Sequence, residues 1–162
     1  MLDVLISIRP GWCGAIFAGV KTIEVRKTAP RLPTPFKCYV YCTEKGHLDI
    51  TLIDPVRQTS TKRILNGMVS GCFTVKRIDR YAMVGTSTNN MRYMRDAGSG
   101  DFYSINFRQM QLSEEEIKNY GNGAALYGWH ISDVRCFLDP KPLSEFGLNR
   151  PPQSWCYVEV PE

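Results

Sequence analysis

A chain of 162 residues with 43% hydrophobic and 22% charged residues fits one globular domain and excludes a disordered or fibrous class. Its apolar runs fall far short of the ~20 residues a membrane-spanning helix needs. The N-terminal "MLDVLISIRP" has an acidic third residue and no small-residue cleavage site, so no secretory leader or membrane partner is expected and a cytoplasmic location is. The net charge of +4 is compatible with an anionic partner without demanding one.

In chain order, a first strand is expected over Val4 to Ile8. Pro10 suits the first turn of a short helix that runs to about Ala18 and stops at Gly19, with Trp12 and Ile16 on its buried side. "KTIEVR" predicts a strand with Ile23 and Val25 on one face and Thr22, Glu24 and Arg26 on the other. Pro30, Pro33 and Pro35 make an irregular loop. "FKCYVYCT" predicts a strand with Cys38, Val40 and Cys42 on one face, and "HLDITLI", alternating Leu48, Ile50 and Leu52, predicts another. Asn66-Gly67 marks a turn, and Met68 to Ile78 reads as a long strand with Gly71 a candidate bulge.

The polar segment from Gly85 to Asp101 is expected to be a poorly ordered excursion, part of a polar insertion at about 85–105. "LSEEEIKNYG" has a clear helix start, with Ser113 as N-cap, Glu116 as its capping-box partner and Gly121 as terminator. Strands follow at "LYGWHISDVRCF" and "SWCYVEV", separated by the loop "LDPKPLSEFGLNRPPQ". Several strands, two short helices and no βαβ rhythm predict an α+β fold in which a small β-barrel carries short flanking helices, one domain over residues 1–162.

Six cysteines, Cys13, Cys38, Cys42, Cys72, Cys136 and Cys156, include no C-x-x-C, and His47 and His130 stand far apart. Reduced, core-filling thiols are therefore expected, with no metal, no disulfide and no cofactor. The basic groups Arg57/Lys62/Arg63, Lys76/Arg77/Arg80 and Arg92/Arg95/Arg108 each read first as solvated faces and second as phosphate contacts.

The most informative stretch is "GVKTIEVR". A strand face presenting Glu24 and Arg26, with Thr22 beside them and Lys21 at its entry, holds an acceptor and donors close together, as a base edge and a phosphate require. The alternative is a structural Lys21–Glu24 or Glu24–Arg26 ion pair on a half-exposed strand. Trp129 and His130 point to opposite faces of their strand, so that one lines the core and the other a cleft or solvent. A cleft-facing aromatic would stack on an unpaired base; Trp12, Tyr39, Tyr41 and Trp155 carry the same ambiguity. Arg150 and Ser154 in "RPPQSW" are further polar candidates.

The pattern G-x-K-x-x-E-x-R, after a strand and a short helix near the N-terminus, resembles the signature of the ASCH domain family within the PUA-like superfamily. "NGMVSGCFTV", "YGWHISDV" and "RPPQSWCYVEV" look like the central and C-terminal strands of phage and bacterial ASCH proteins. The resemblance implies a PUA-like β-barrel with a cleft beside the motif that binds RNA or a modified nucleoside, lined by Lys21, Thr22, Glu24, Arg26, Trp129 and His130. One bacterial branch of the family hydrolyses N4-acetylcytidine with a lysine at the position of Lys21 and a threonine three residues later. Here that threonine position holds Glu24, which removes the hydroxyl nucleophile and leaves Glu24 as a general base with Lys21 steadying an oxyanion. Three functions are therefore in play. They are RNA or nucleoside binding, hydrolysis of an N4-acylcytidine or of RNA with Lys21 and Glu24 catalytic, and a phage-encoded protein-interaction module using the surface between Gly85 and Asp101.

Overall fold

Extended, β-rich segments dominate the computed structural model, which describes residues 2–85, 87 and 90–160. The fold is mixed α+β, with a large sheet and short helices. Its elements are β1 (Leu2–Ile8), α1 (Pro10–Phe17), β2 (Ile23–Arg26), β3 (Phe36–Cys42), β4 (Asp49–Asp54), β5 (Thr59–Ile64), β6 (Val69–Val84), β7 (Arg92–Asp96), β8 (Phe102–Tyr103), α2 (Phe107–Met110), α3 (Glu114–Gly121), β9 (Leu126–Lys141) and β10 (Trp155–Glu159). A 3-10 turn, Leu143–Phe146, precedes β10.

The chain forms two compact units: Met1–Gly19, Phe36–Thr74 and Asp133–Glu162 make unit 1, and Val20–Pro35 with Val75–Ser132 makes unit 2. In unit 1, β1 pairs antiparallel with β10 and parallel with β3. The parallel pair is joined by a crossover that contains α1, so a βαβ-like unit exists where the sequence pattern predicts none. Helix α1 ends as expected, with Gly19 at φ +73°, but it buries Pro10, Cys13 and Ile16 and leaves Trp12 half-buried. Cys38, Val40 and Cys42 are fully buried on one face of β3. Its other face sends Tyr39 and Tyr41 into a cluster with Leu5, Val69, Phe146 and Val158, where the Tyr39 and Phe146 rings meet edge to face at 5.0 Å. Strand β4 pairs with β5, a run of exposed polar residues, in a separate two-stranded sheet. The six cysteines are unbridged.

In unit 2, β2 pairs antiparallel with β9, and β6, β7 and β8 follow in order. Ile23 and Val25 enter a core with Tyr81, Tyr93, Met110, Ile117 and Leu126. The polar segment after Gly85 holds β7 and β8 instead of an irregular excursion; Thr86, Thr88 and Asn89 within it lie outside the described residues. The physical reason is pairing: Tyr93 brings a fully packed ring to the core while Arg95 and Asp96 find partners on β6 and β8. The Ser113–Glu116 capping box of α3 is present in both directions. The helix terminates one residue later than expected, on Asn122 in the left-handed region at φ 47°, and Gly121 instead leaves room for the Tyr93 ring.

Gly128 serves the same end in β9, because a Cβ there would fall on the Tyr81 phenol, itself almost fully buried. Gly128→Ala is expected to lower unfolding free energy by about 1–3 kcal/mol through overpacking, read as a lower midpoint in thermal or urea melts. An unchanged midpoint would show that the ring moves aside freely.

Candidate nucleic-acid interface

The charged trio of "KTIEVR" lies wholly in unit 2, and it is buried. Lys21 is 2% exposed and Glu24 6%. The carboxylate of Glu24 is gripped from two sides: Lys21 Nζ stands 3.3 Å from Oε2 and Arg26 Nη2 3.0 Å from Oε1. Both ion pairs considered from the sequence exist, but inside the protein and not on a half-exposed strand.

Backbone geometry explains the convergence. Strand β2 aligns Ile23 with His130, Glu24 with Trp129, Val25 with Gly128 and Arg26 with Tyr127. Alternation then puts Glu24, Arg26 and Trp129 on one face and Ile23, Val25 and His130 on the other. Just before β2, Thr22 is fixed by its N–H to the Gln109 carbonyl and by its carbonyl to the Ile131 N–H, both at 2.9 Å. Lys21 donates from Nζ to the Met110 carbonyl at 2.5 Å, at the end of α2 where helix carbonyls are free to accept. Burial pushes the Lys21 ammonium below its ordinary pKa; Glu24 pulls it back up and Arg26 lowers it further.

Two buried oxygens in this region accept no hydrogen bond: Glu24 Oε2, in spite of its proximity to Lys21, and Thr22 Oγ1.

The structure separates the remaining sequence candidates. Trp129 is fully buried, so its ring offers no accessible face for stacking. His130 is not with the trio, because strand alternation turns it to the opposite face. There its Nε2 meets Asp79 Oδ2 at 2.8 Å, with Arg77 3.4 Å away. An exposed aromatic that feels the charges of Arg26 and Glu24 is Tyr120 at the end of α3, 38% exposed. Burial raises its phenol pKa, Arg26 lowers it and Glu24 raises it, so all three share one electrostatic neighbourhood. Lys27 lies 5.0 Å from the centre of the same ring. The sequence signal for Tyr120 was its place three residues after the buried Ile117, at the edge of the helix's apolar stripe. Among the described residues no group of three or more His, Cys, Asp or Glu is arranged to hold a metal ion, and no helix is long and apolar enough to cross a membrane.

With this geometry in hand, the fold has a recognisable class: it is that of solved ASCH structures. The structure of ASCH from Zymomonas mobilis superposes with a TM-score of 0.62 at 20% identity, covering 97% of this chain and 87% of the other. A Tyr-to-Phe mutant of that protein gives 0.59 at 20% identity, covering 97% and 90%. A Ser-to-Ala mutant gives 0.60 at 21% identity, covering 97% and 88%. No protein-family profile matches the chain, and no curated protein does.

Removing one member of a buried, compensated ion network leaves its partners charged and desolvated. Glu24→Ala is therefore expected to cost roughly 3–5 kcal/mol in urea unfolding, far above the ~0–1 kcal/mol of an exposed pair. The lowered Lys21 pKa also sets a sign. Between that value and the unfolded 10.5 the unfolded chain holds the extra proton, so this group makes stability rise with pH over that window. Unfolding curves taken up to about pH 10.5 should show this rise in the parent relative to Lys21→Met; parallel pH profiles would refute it.

Proposed function

We propose that the chain is an ASCH-family RNA- or modified-nucleoside-binding protein, with a PUA-like barrel and a recognition site at Lys21, Thr22, Glu24 and Arg26. The observation that supports this reading is the carboxylate of Glu24, buried and held between the Lys21 ammonium and the Arg26 guanidinium. A carboxylate fixed between two cations suits the amino or imino edge of a base, and Arg26, the most exposed of the three, suits a carbonyl or phosphate beside it. Tyr120 supplies the exposed ring on which a base can stack.

Charge distribution favours an anionic partner. Unit 2 holds eleven Lys and Arg against seven Asp and Glu, whereas unit 1 holds nine of each, so the whole surplus of four lies in unit 2 with the trio. A second reading, hydrolysis of an N4-acylated cytidine, draws on the depressed Lys21 pKa, which makes a neutral amine more available as a base near the Glu24 carboxylate.

The test is titration of single-stranded RNA and of cytidine with and without an N4-acetyl group, together with assay for released acetate. Glu24→Gln keeps shape and removes the charge. It is expected to weaken binding by well over tenfold at a temperature where it remains folded, and Tyr120→Ala to weaken it by about 1–3 kcal/mol. RNA affinity should also fall as salt rises, because phosphate contacts release counterions. A folded Glu24→Gln variant that binds as the parent does would place recognition elsewhere. Acetate release lost in Lys21→Met would favour the hydrolase.

A further inference from the structure

A concave region belongs entirely to unit 1 and uses none of the trio. The start of α1 faces the loop after β3 across a cavity of about 440 Å³, lined by Arg9, Pro10, Trp12 and Lys45 among others. A larger cavity of about 760 Å³ shares Arg9, Lys45 and Gly46 with it and adds Tyr41, Thr43, Glu44 and Gln153. Volumes of roughly 300–1,000 Å³ are those of small-molecule sites.

The walls are held in place. Asn66 clamps the loop that carries Lys45 by donating from Nδ2 to the carbonyls of Thr43 at 3.0 Å and Gly46 at 3.2 Å, and by accepting at Oδ1 from the Leu48 N–H at 2.8 Å. On the far side, Ser7 Oγ donates to the Pro152 carbonyl at 2.6 Å and the Ser7 N–H to the Ser154 carbonyl at 2.9 Å, tying the "PPQS" segment to β1. Gly46, at φ +102°, packs on the Pro10 ring, which sets the loop against the helix start.

The polar groups of these walls are of two kinds. Arg9 and Lys45 are exposed cations with no acidic partner among the described residues, and α1 begins at Arg9 with no side-chain cap and no acid in its first turn. They suit a compact anion. The larger cavity adds to its lining Glu44, Gln153 and Thr43, whose side chains carry a carboxylate, an amide and a hydroxyl. These suit hydroxyls and a base edge, not an anion. A phosphate alone would leave the second set unused, and an uncharged nucleoside would leave the first.

We propose that unit 1 binds a nucleotide carrying a phosphomonoester, with the phosphate between Arg9 and Lys45 and the sugar and base toward Glu44, Thr43 and Gln153. The nucleotide is either free or the phosphorylated terminus of an RNA strand, since both present the same group.

The test follows the Trp12 indole signal of the isotope-labelled full chain, assigned with Trp12→Phe, during titration. The ligands are a nucleoside 5′-monophosphate, the matching nucleoside, inorganic phosphate, and short RNAs with and without a 5′-phosphate. The monophosphate is expected to saturate, with nucleoside and phosphate each at least tenfold weaker, and Arg9→Gln with Lys45→Gln to weaken it at least tenfold. Asn66→Ala, which loosens the loop without removing a cation, should weaken it as well. Tighter binding of the phosphorylated RNA identifies a strand terminus as the source, and tighter binding of the monophosphate identifies the free nucleotide. The proposal is overturned if nucleoside or phosphate alone matches the monophosphate, if the cation variants bind as the parent, or if nothing saturates at millimolar ligand.

Discussion

Unit 2 is organised around one electrostatic requirement, the compensation of a carboxylate taken out of water. An unpaired carboxylate in that position would carry the full cost of leaving water. Compensation needs two cations, and they come from positions three before and two after the acid, Lys21 just ahead of β2 and Arg26 at its end. The lysine reaches back to the Met110 carbonyl, which ties β2 to the turn closing α2. The register of β2 against β9 is then fixed twice, by the trio on one face and by Ile23 and Val25 in the core on the other.

Such a network is a weak source of stability. Desolvating three charges offsets most of their mutual attraction, and an apolar triplet of similar volume would hold a strand at least as well. What an apolar triplet lacks is a fixed, polarised acceptor. The Glu24 carboxylate is such an acceptor, with Oε2 facing the Lys21 ammonium and Oε1 facing Arg26. Arg26, whose side chain is 11% exposed, is the least buried of the three.

Much of the fold was legible because local chemistry and tertiary environment agree. The Ser113 capping box, Pro10 at a helix start, Gly19 at its end and the thiol-lined face of β3 each have a mechanism contained within a few residues. The failures have non-local causes. "TSTKRI" has no buried face to leave a pattern, and becomes a strand only because β4 offers its edge. The parallel β1–β3 pair joins residues more than thirty apart in sequence, beyond the reach of any periodicity argument. Helix α2 is a single turn, too short to register an apolar stripe, yet its last carbonyl anchors Lys21.

The site shows the same division between local and non-local information. Alternation along one strand correctly separates Trp129 from His130, but cannot say which face is dry, and both proved to have other commitments: Trp129 to full burial, His130 to Asp79. Burial of the trio was hidden for a related reason. Lys, Glu and Arg at this spacing look alike whether water or protein lies above them, because the residues that exclude water come from segments distant in sequence. What the spacing does encode is the Glu24–Arg26 pair, two residues apart on one strand face, whereas Lys21 reaches Glu24 from the irregular backbone ahead of β2. The motif thus fixes that pair locally, while the dielectric around it, and with it the depressed basicity of Lys21, is set by the rest of the fold.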